Sequence, residues 1–166
     1  MSEAEEKQVG AAEHPKIVKS FGGEYGTPAL KSYVSSIGKA LAAVSEVPDL
    51  LYKFTILNDD KVNAFALPGG YVYITRGLLA LAENEAEMAG VLAHEIGHIT
   101  ARHSAERHST AMATNIGLTV LGVIGSAVGV PTGVGQAVSL GAQAAVQSYS
   151  REQELEADML GVRYMT

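Results

Sequence analysis

His94-Glu95-Ile96-Gly97-His98 is the stretch whose residue types and spacing could do chemistry. Two histidines four apart on a helix are offset by about 40° around its axis and about 6 Å along it, so both imidazoles reach one metal ion. Glu95 points about 100° away from His94 on the same helix. It is badly placed as a ligand but well placed to lie beside an attacking water, as a metal-assisted general base does. The chain contains no cysteine. That excludes disulfide scaffolds, thiolate zinc fingers, thiol nucleophiles and iron–sulfur clusters, and leaves His, Asp, Glu or backbone oxygen to hold any metal.

Catalytic zinc takes three protein ligands and keeps one position open, so a third ligand is needed. His103 follows His98 by five residues, about 140° around a continuous helix and away from a metal on the His94–His98 face. It reads as solvated or locally bonded, as do His14 and His108. The acidic run Ser150-Arg151-Glu152-Gln153-Glu154-Leu155-Glu156-Ala157-Asp158 offers two pairs spaced four apart, Glu154 with Asp158 and Glu152 with Glu156. In either pair one carboxylate could bind metal while the other accepts the N–H of a ligating histidine.

These residues need elements to position them. Asn84-Glu85-Ala86-Glu87 has the form of a capping box, and Met88, Val91, Leu92, Ile96 and Ile99 make an apolar stripe behind it. The pattern predicts a helix from about Glu85 past Arg102. Leu155, Met159 and Val162 predict the buried stripe of a C-terminal helix that carries the acidic run. Leu30, Val34, Ile37, Leu41 and Val44 mark one face of a helix beginning at Pro28. Tyr52 to Leu57 alternates β-branched and aromatic residues and predicts a strand. Asn63–Leu67 and Tyr71–Thr75 predict two more, joined as a hairpin by Pro68-Gly69-Gly70. The fold class expected is α+β, mainly helical, with a small antiparallel sheet against the helices.

Composition bounds the rest. The chain has 166 residues, 47% hydrophobic and 18% charged, the size and balance of one folded domain rather than a disordered tail. A net charge of −6 lacks the electrostatic footprint of a nucleic-acid binder. Residues 108–150 contain no Asp, Glu, Lys or Arg and form an uncharged insert within the domain. Asn115 to Val130 is too short and glycine-interrupted for a membrane-spanning helix, which needs about 20 apolar residues. Two short helices about Pro131 and Gly133 are expected there, packed on the domain or lying over the cleft. A membrane-surface contact through 115–146 is the competing expectation. The acidic, polar N-terminus is not a signal peptide. The C-terminus stops inside a helical pattern, which suggests a domain cut from something longer.

Taken together, Asn63-Ala64-Phe65-Ala66-Leu67-Pro68-Gly69-Gly70, His94-Glu95-Ile96-Gly97-His98, and Ser150-Arg151 followed by Glu154 and Ala157-Asp158 resemble a known pattern. It is that of the gluzincin zinc metallopeptidase family of the CAAX prenyl endopeptidases, the heat-shock membrane protease and the bacterial periplasmic quality-control proteases. The resemblance runs from about Gly10 to Tyr164. It implies a zinc-dependent endopeptidase acting on peptide or unfolded protein, in bacterial envelope quality control, periplasmic or otherwise extracytoplasmic. Carried over by position, His94, His98 and Glu154 would hold one Zn2+, Glu95 would be the base, and Asp158 would partner His94. Asn63, Ala64, Phe65, Ala66 and Leu67 would form the edge strand that a substrate peptide extends. Helix phase agrees on the carboxylate pair: Glu154 is followed four residues later by Asp158, whereas Glu156 is followed by Leu160, which accepts no hydrogen bond. The resemblance also implies an oxyanion-stabilising histidine beyond Thr166. A latent zinc-binding module with little activity, whose insert binds partners or membrane, is the alternative expectation.

Overall fold

Side-chain caps fix where the helices start. In the computed structural model, which describes residues 1–113 and 149–166, Ser2, Thr27, Thr75, Asn84 and Ser150 each accept a hydrogen bond from a first-turn backbone N–H. Each so satisfies a donor that has no partner within its own helix. The helices that follow are α1 (Glu3–Ser20), α2 (Pro28–Ala43), α3 (Arg76–Leu81), α4 (Glu85–Thr100) and α5 (Arg151–Tyr164). Residues 103–113 are also helical. Helix α1 had no counterpart in the expectations above, although Ser2 and Glu5 form a reciprocal capping box.

Three strands, β1 (Lys53–Leu57), β2 (Ala64–Leu67) and β3 (Tyr71–Thr75), form one sheet in the order β1-β3-β2. The β2–β3 hairpin is antiparallel, and Gly69 and Gly70 in its turn have φ of +81° and +92°, which glycine adopts without steric cost. β1 pairs with β3 in parallel, Ile56 opposite Ile74, so the sheet is mixed rather than wholly antiparallel. The hairpin places β3 in the middle. β1 therefore meets the strand running its own way, across the 58–63 connection. Among the described residues β2 pairs on one side only.

The core lies between α2, α4 and the sheet. Val34 and Leu41 of α2, Ile56, Val72 and Ile74 of the sheet, and Met88, Leu92, Ile96 and Ile99 of α4 are buried together. Each such side chain contributes on the order of 1.5–3 kcal/mol by leaving water. Ile17 of α1 buries with Leu57, Phe65, Leu67 and Tyr73 on the other side of the sheet. Val44 lies at the end of its stripe and is exposed.

The contact that matters most for the site is α4 against α5. A Cβ at Gly97 would lie 2.8 Å from the Ala157 carbonyl oxygen, and one at Gly161 would lie 3.0 Å from the His94 backbone nitrogen. The two backbones touch where side chains are smallest. This overturns one expectation: Leu155, Met159 and Val162 are 54%, 69% and 66% exposed, and α5 buries Ala157, Gly161 and Tyr164 instead. A stripe of large residues would have held the helices farther apart. α4 also stops earlier than its pattern implies. Arg102 takes φ +62° just past Thr100, which ends the helix and turns the chain before residue 103. The expected hairpin over 115–146 falls outside the described residues, as does most of the 108–150 insert. Among the described residues, no helix is long and apolar enough to cross a membrane.

Candidate metal centre

α4 presents His94 and His98 one turn apart, and the close approach at Gly97 brings the first turns of α5 against them. The Nε2 atoms of His94 and His98 are 3.0 Å apart. A Glu154 carboxylate oxygen lies 3.3 Å from the first and 3.9 Å from the second. One ligand atom from each of the three falls within 4.8 Å of the others. Asp158 Oδ1 lies 2.8 Å from His94 Nδ1, the ring nitrogen facing away from this cluster. A carboxylate only accepts, so His94 donates there, and a neutral imidazole donating at Nδ1 keeps its lone pair on Nε2. Two imidazole nitrogens and a carboxylate oxygen converging in this way are chemically suited to a borderline-soft divalent cation.

Glu95 is buried beside the cluster, and its Oε2 has no hydrogen-bond partner among the described residues. Burial pushes its carboxyl up to about 7, against the opposing pull of His94 and Arg107 and with a smaller upward push from Glu154. A carboxylate poised near neutrality can both take and return a proton. His98 is pushed down to about 3, first by burial and then by the neighbouring His94, His103 and Arg107. It therefore stays neutral and able to offer a lone pair at ordinary pH.

Several residues around the centre were missed or misread in sequence. Of the two readings of His103, solvated or locally bonded, the structure shows the second: it is buried and its Nδ1 sits 3.1 Å from Nδ1 of His98, on the side the helical phase had turned away. The 140° estimate assumed one unbroken helix, and the turn at Arg102 breaks it. Nothing in the sequence marks that turn, since neither glycine nor proline stands there. Tyr149 stacks on the His98 ring with centroids 3.7 Å apart, and the Arg107 guanidinium lies 3.9 Å above the Tyr149 ring. Ala157 and Gly161, four apart, carried a legible signal of close helix packing. His14 and His108 are elsewhere: His14 Nδ1 lies 2.8 Å from the Tyr73 hydroxyl, and His108 is buried in the 103–113 helix.

The strand expected to meet substrate lies at the sheet edge. Asn63 accepts from the Thr75 amide, so Asn63, Phe65 and Leu67 direct their backbone groups to β3, and Ala64 and Ala66 direct theirs to the edge that no described strand pairs with. The Ala66 carbonyl accepts a hydrogen bond from Arg107 Nη2 at 3.1 Å. The side chains of Phe65, Ala66 and Leu67 are buried in the two cores. What this edge offers is backbone, so swapping those side chains would disturb packing before it altered recognition.

The sequence model of peptidase family M48 matches residues 28–166. The chain is 35% identical over 145 residues to the beta-barrel assembly-enhancing protease of Yersinia pestis, which covers 83% of this chain and 29% of that protein. It is 33% identical over 145 residues to the protein of the same name from Escherichia coli strain K12, with the same shares covered. Over 90 residues it is 43% identical to the mitochondrial metalloendopeptidase OMA1 of Schizosaccharomyces pombe, covering 51% of this chain and 27% of that one. The chain thus spans less than a third of the length of these relatives. The family match takes in both helices that build the centre, α4 and α5, together with the sheet edge beside them, and the chain belongs to peptidase family M48.

Proposed function

We propose that this chain carries the catalytic domain of a zinc-dependent endopeptidase that hydrolyses peptide bonds in protein substrates. The observation that carries the reading is the meeting of His94, His98 and Glu154 from two helices, with buried Glu95 next to His94. In this reading those three side chains hold one Zn2+. When bound, zinc supplies Lewis acidity that polarises a peptide carbonyl and acidifies water. Glu95 takes a proton from the attacking water as the new C–O bond forms. It returns that proton to the amide nitrogen as the C–N bond breaks, so the amine leaves neutral. Asp158 holds the His94 ring in one orientation by accepting its Nδ1–H. The open edge of β2 takes a stretch of substrate as an added strand through the backbone groups of Ala64 and the Ala66 N–H.

The domain in this reading is a single unit over residues 1–166, with 108–150 inserted between the two metal-binding helices. The relatives named for β-barrel assembly support a further reading, that the substrate is protein of the bacterial envelope and the site of action is the periplasm or another extracytoplasmic space. The deciding experiment pairs metal analysis with peptide cleavage in the complete protein and its Glu95→Gln variant. The expected result is about one zinc per chain in both and cleavage in the parent alone. Cleavage by the zinc-loaded Gln variant would remove Glu95 as base, and zinc without cleavage in either would favour a zinc-binding module.

A further inference from the structure

We propose that His103 and Glu156 form a relay that fixes His98 as a metal ligand, so that α5 orients both histidines as well as supplying Glu154. The proposal rests on the metal-centre reading above and adds two positioning residues to it. Glu156 Oε2 lies 3.3 Å from His103 Nε2, and His103 Nδ1 lies 3.1 Å from His98 Nδ1. The order of donors follows from chemistry. The carboxylate can only accept, so His103 presents its N–H at Nε2. A neutral imidazole carries one hydrogen, which leaves His103 Nδ1 bare. Two Nδ1 atoms at that distance need one hydrogen between them, and it comes from His98. His98 Nε2 then carries a lone pair that faces the His94 Nε2 lone pair at 3.0 Å, a contact that a shared cation relieves.

Burial gives the relay its leverage. His98 and His103 are 1% and 4% exposed, so water does not compete for either Nδ1. Among the described residues no other side chain is within hydrogen-bond distance of His98 Nδ1. The turn at Arg102 makes the contact reachable, because it returns residue 103 to the ring of a residue only five positions earlier. The two histidines are thus held by parallel means. His94 donates directly to Asp158, and His98 donates through His103 to Glu156, two residues away on the same helix. Glu156 is the exposed end of the relay, with 56% of its side chain accessible, so it can be changed without opening the core.

The test has a metal-free arm and a metal arm, both on the complete protein. In zinc-free His94→Ala, which removes the opposing Nε2, long-range proton–nitrogen NMR of the histidine rings is expected to find the His98 hydrogen on Nδ1, and to find it moved or mixed when Glu156→Ala is added. In the metal arm, Zn2+ competed against a chromophoric chelator is expected to bind His103→Leu about 10–100-fold more weakly than the parent. Glu156→Ala is expected to lose several-fold, and His103→Asn, whose amide oxygen can accept from His98, to stay near the parent. A merely structural role for His103 would not be rescued by Asn and would not move with an exposed glutamate. Should His103→Leu fail to fold, the Glu156→Ala titration and the ring spectrum still decide. Parental zinc affinity in folded His103→Leu and Glu156→Ala, or a His98 hydrogen on Nε2 in zinc-free His94→Ala, overturns the relay. Zinc binding that His94→Ala leaves unchanged overturns the metal-centre reading instead, and the ring spectrum separates the two failures.

Discussion

Glu154, Glu156 and Asp158 are alternate residues of one helix, yet each has a different partner at the centre: both Nε2 atoms, His103, and His94 Nδ1 respectively. Their substitutions should therefore differ in kind. Glu154→Ala removes a donor atom and is expected to lower zinc affinity most, by more than 100-fold. Asp158→Ala leaves the donors and frees one ring, with a loss of about 10–100-fold. Equilibrium zinc titration ranks them, and equal effects would count against the assignment. The buried histidines outside the centre make a separate prediction. Burial holds His14 and His108 below the ordinary imidazole range. As pH falls through about 6.5 the unfolded chain takes up protons that the folded chain refuses, so stability drops on acidification and levels off below the folded values. Glu95, held above the ordinary carboxylate range, pulls the other way, so the check is relative: between pH 7 and pH 5 the parent's urea midpoint should fall relative to that of His108→Gln, which takes up no proton at this position in either state.

At the scale of elements, the crossing of α4 and α5 sets whether the centre exists. On an exposed helix, Gly→Ala gains about 1 kcal/mol of helix propensity. At Gly97 the new methyl meets the Ala157 backbone oxygen at 2.8 Å, and backbone cannot rotate aside. Overpacking of this kind costs about 1–3 kcal/mol and outweighs the propensity gain. Gly97→Ala is expected to lower the melting temperature and weaken zinc binding together, because the displaced helix is the one bearing Glu154. A variant with the stability gain and unchanged zinc affinity would show the crossing to be slack. The same crossing explains what was legible in sequence. The helix of His94 and His98 could be read from its cap and stripe, because both are local. The buried face of α5 could not be read from its largest apolar residues, because its partner's backbone selects the smallest. His103 was misplaced for a related reason: helical phase holds only within one helix, and the turn at Arg102 carries no residue that announces it.

Across the whole molecule, the α+β class and the β2–β3 hairpin were legible from strand alternation and the Pro68-Gly69-Gly70 turn. The parallel pairing of β1 with β3 was not, since a register between distant strands leaves no mark in either one. Leu92 sits at the centre of the main core, fully buried among residues of α2, the sheet and α4. Leu92→Ala is expected to cost about 2–5 kcal/mol in chemical denaturation, with an unchanged denaturant slope. The contact of His94 with Asp158 spans 64 residues of sequence. Parts so far apart meet only after a long loop has closed, and loop closure is an entropic cost that local helix formation does not carry. The centre is therefore expected to be completed late in folding rather than preformed in the unfolded chain. A cation that binds only the finished site then acts as a thermodynamic clasp. Free Zn2+ at 100 times its dissociation constant should add about 2.7 kcal/mol to unfolding free energy, and Glu154→Ala should lose most of that increment.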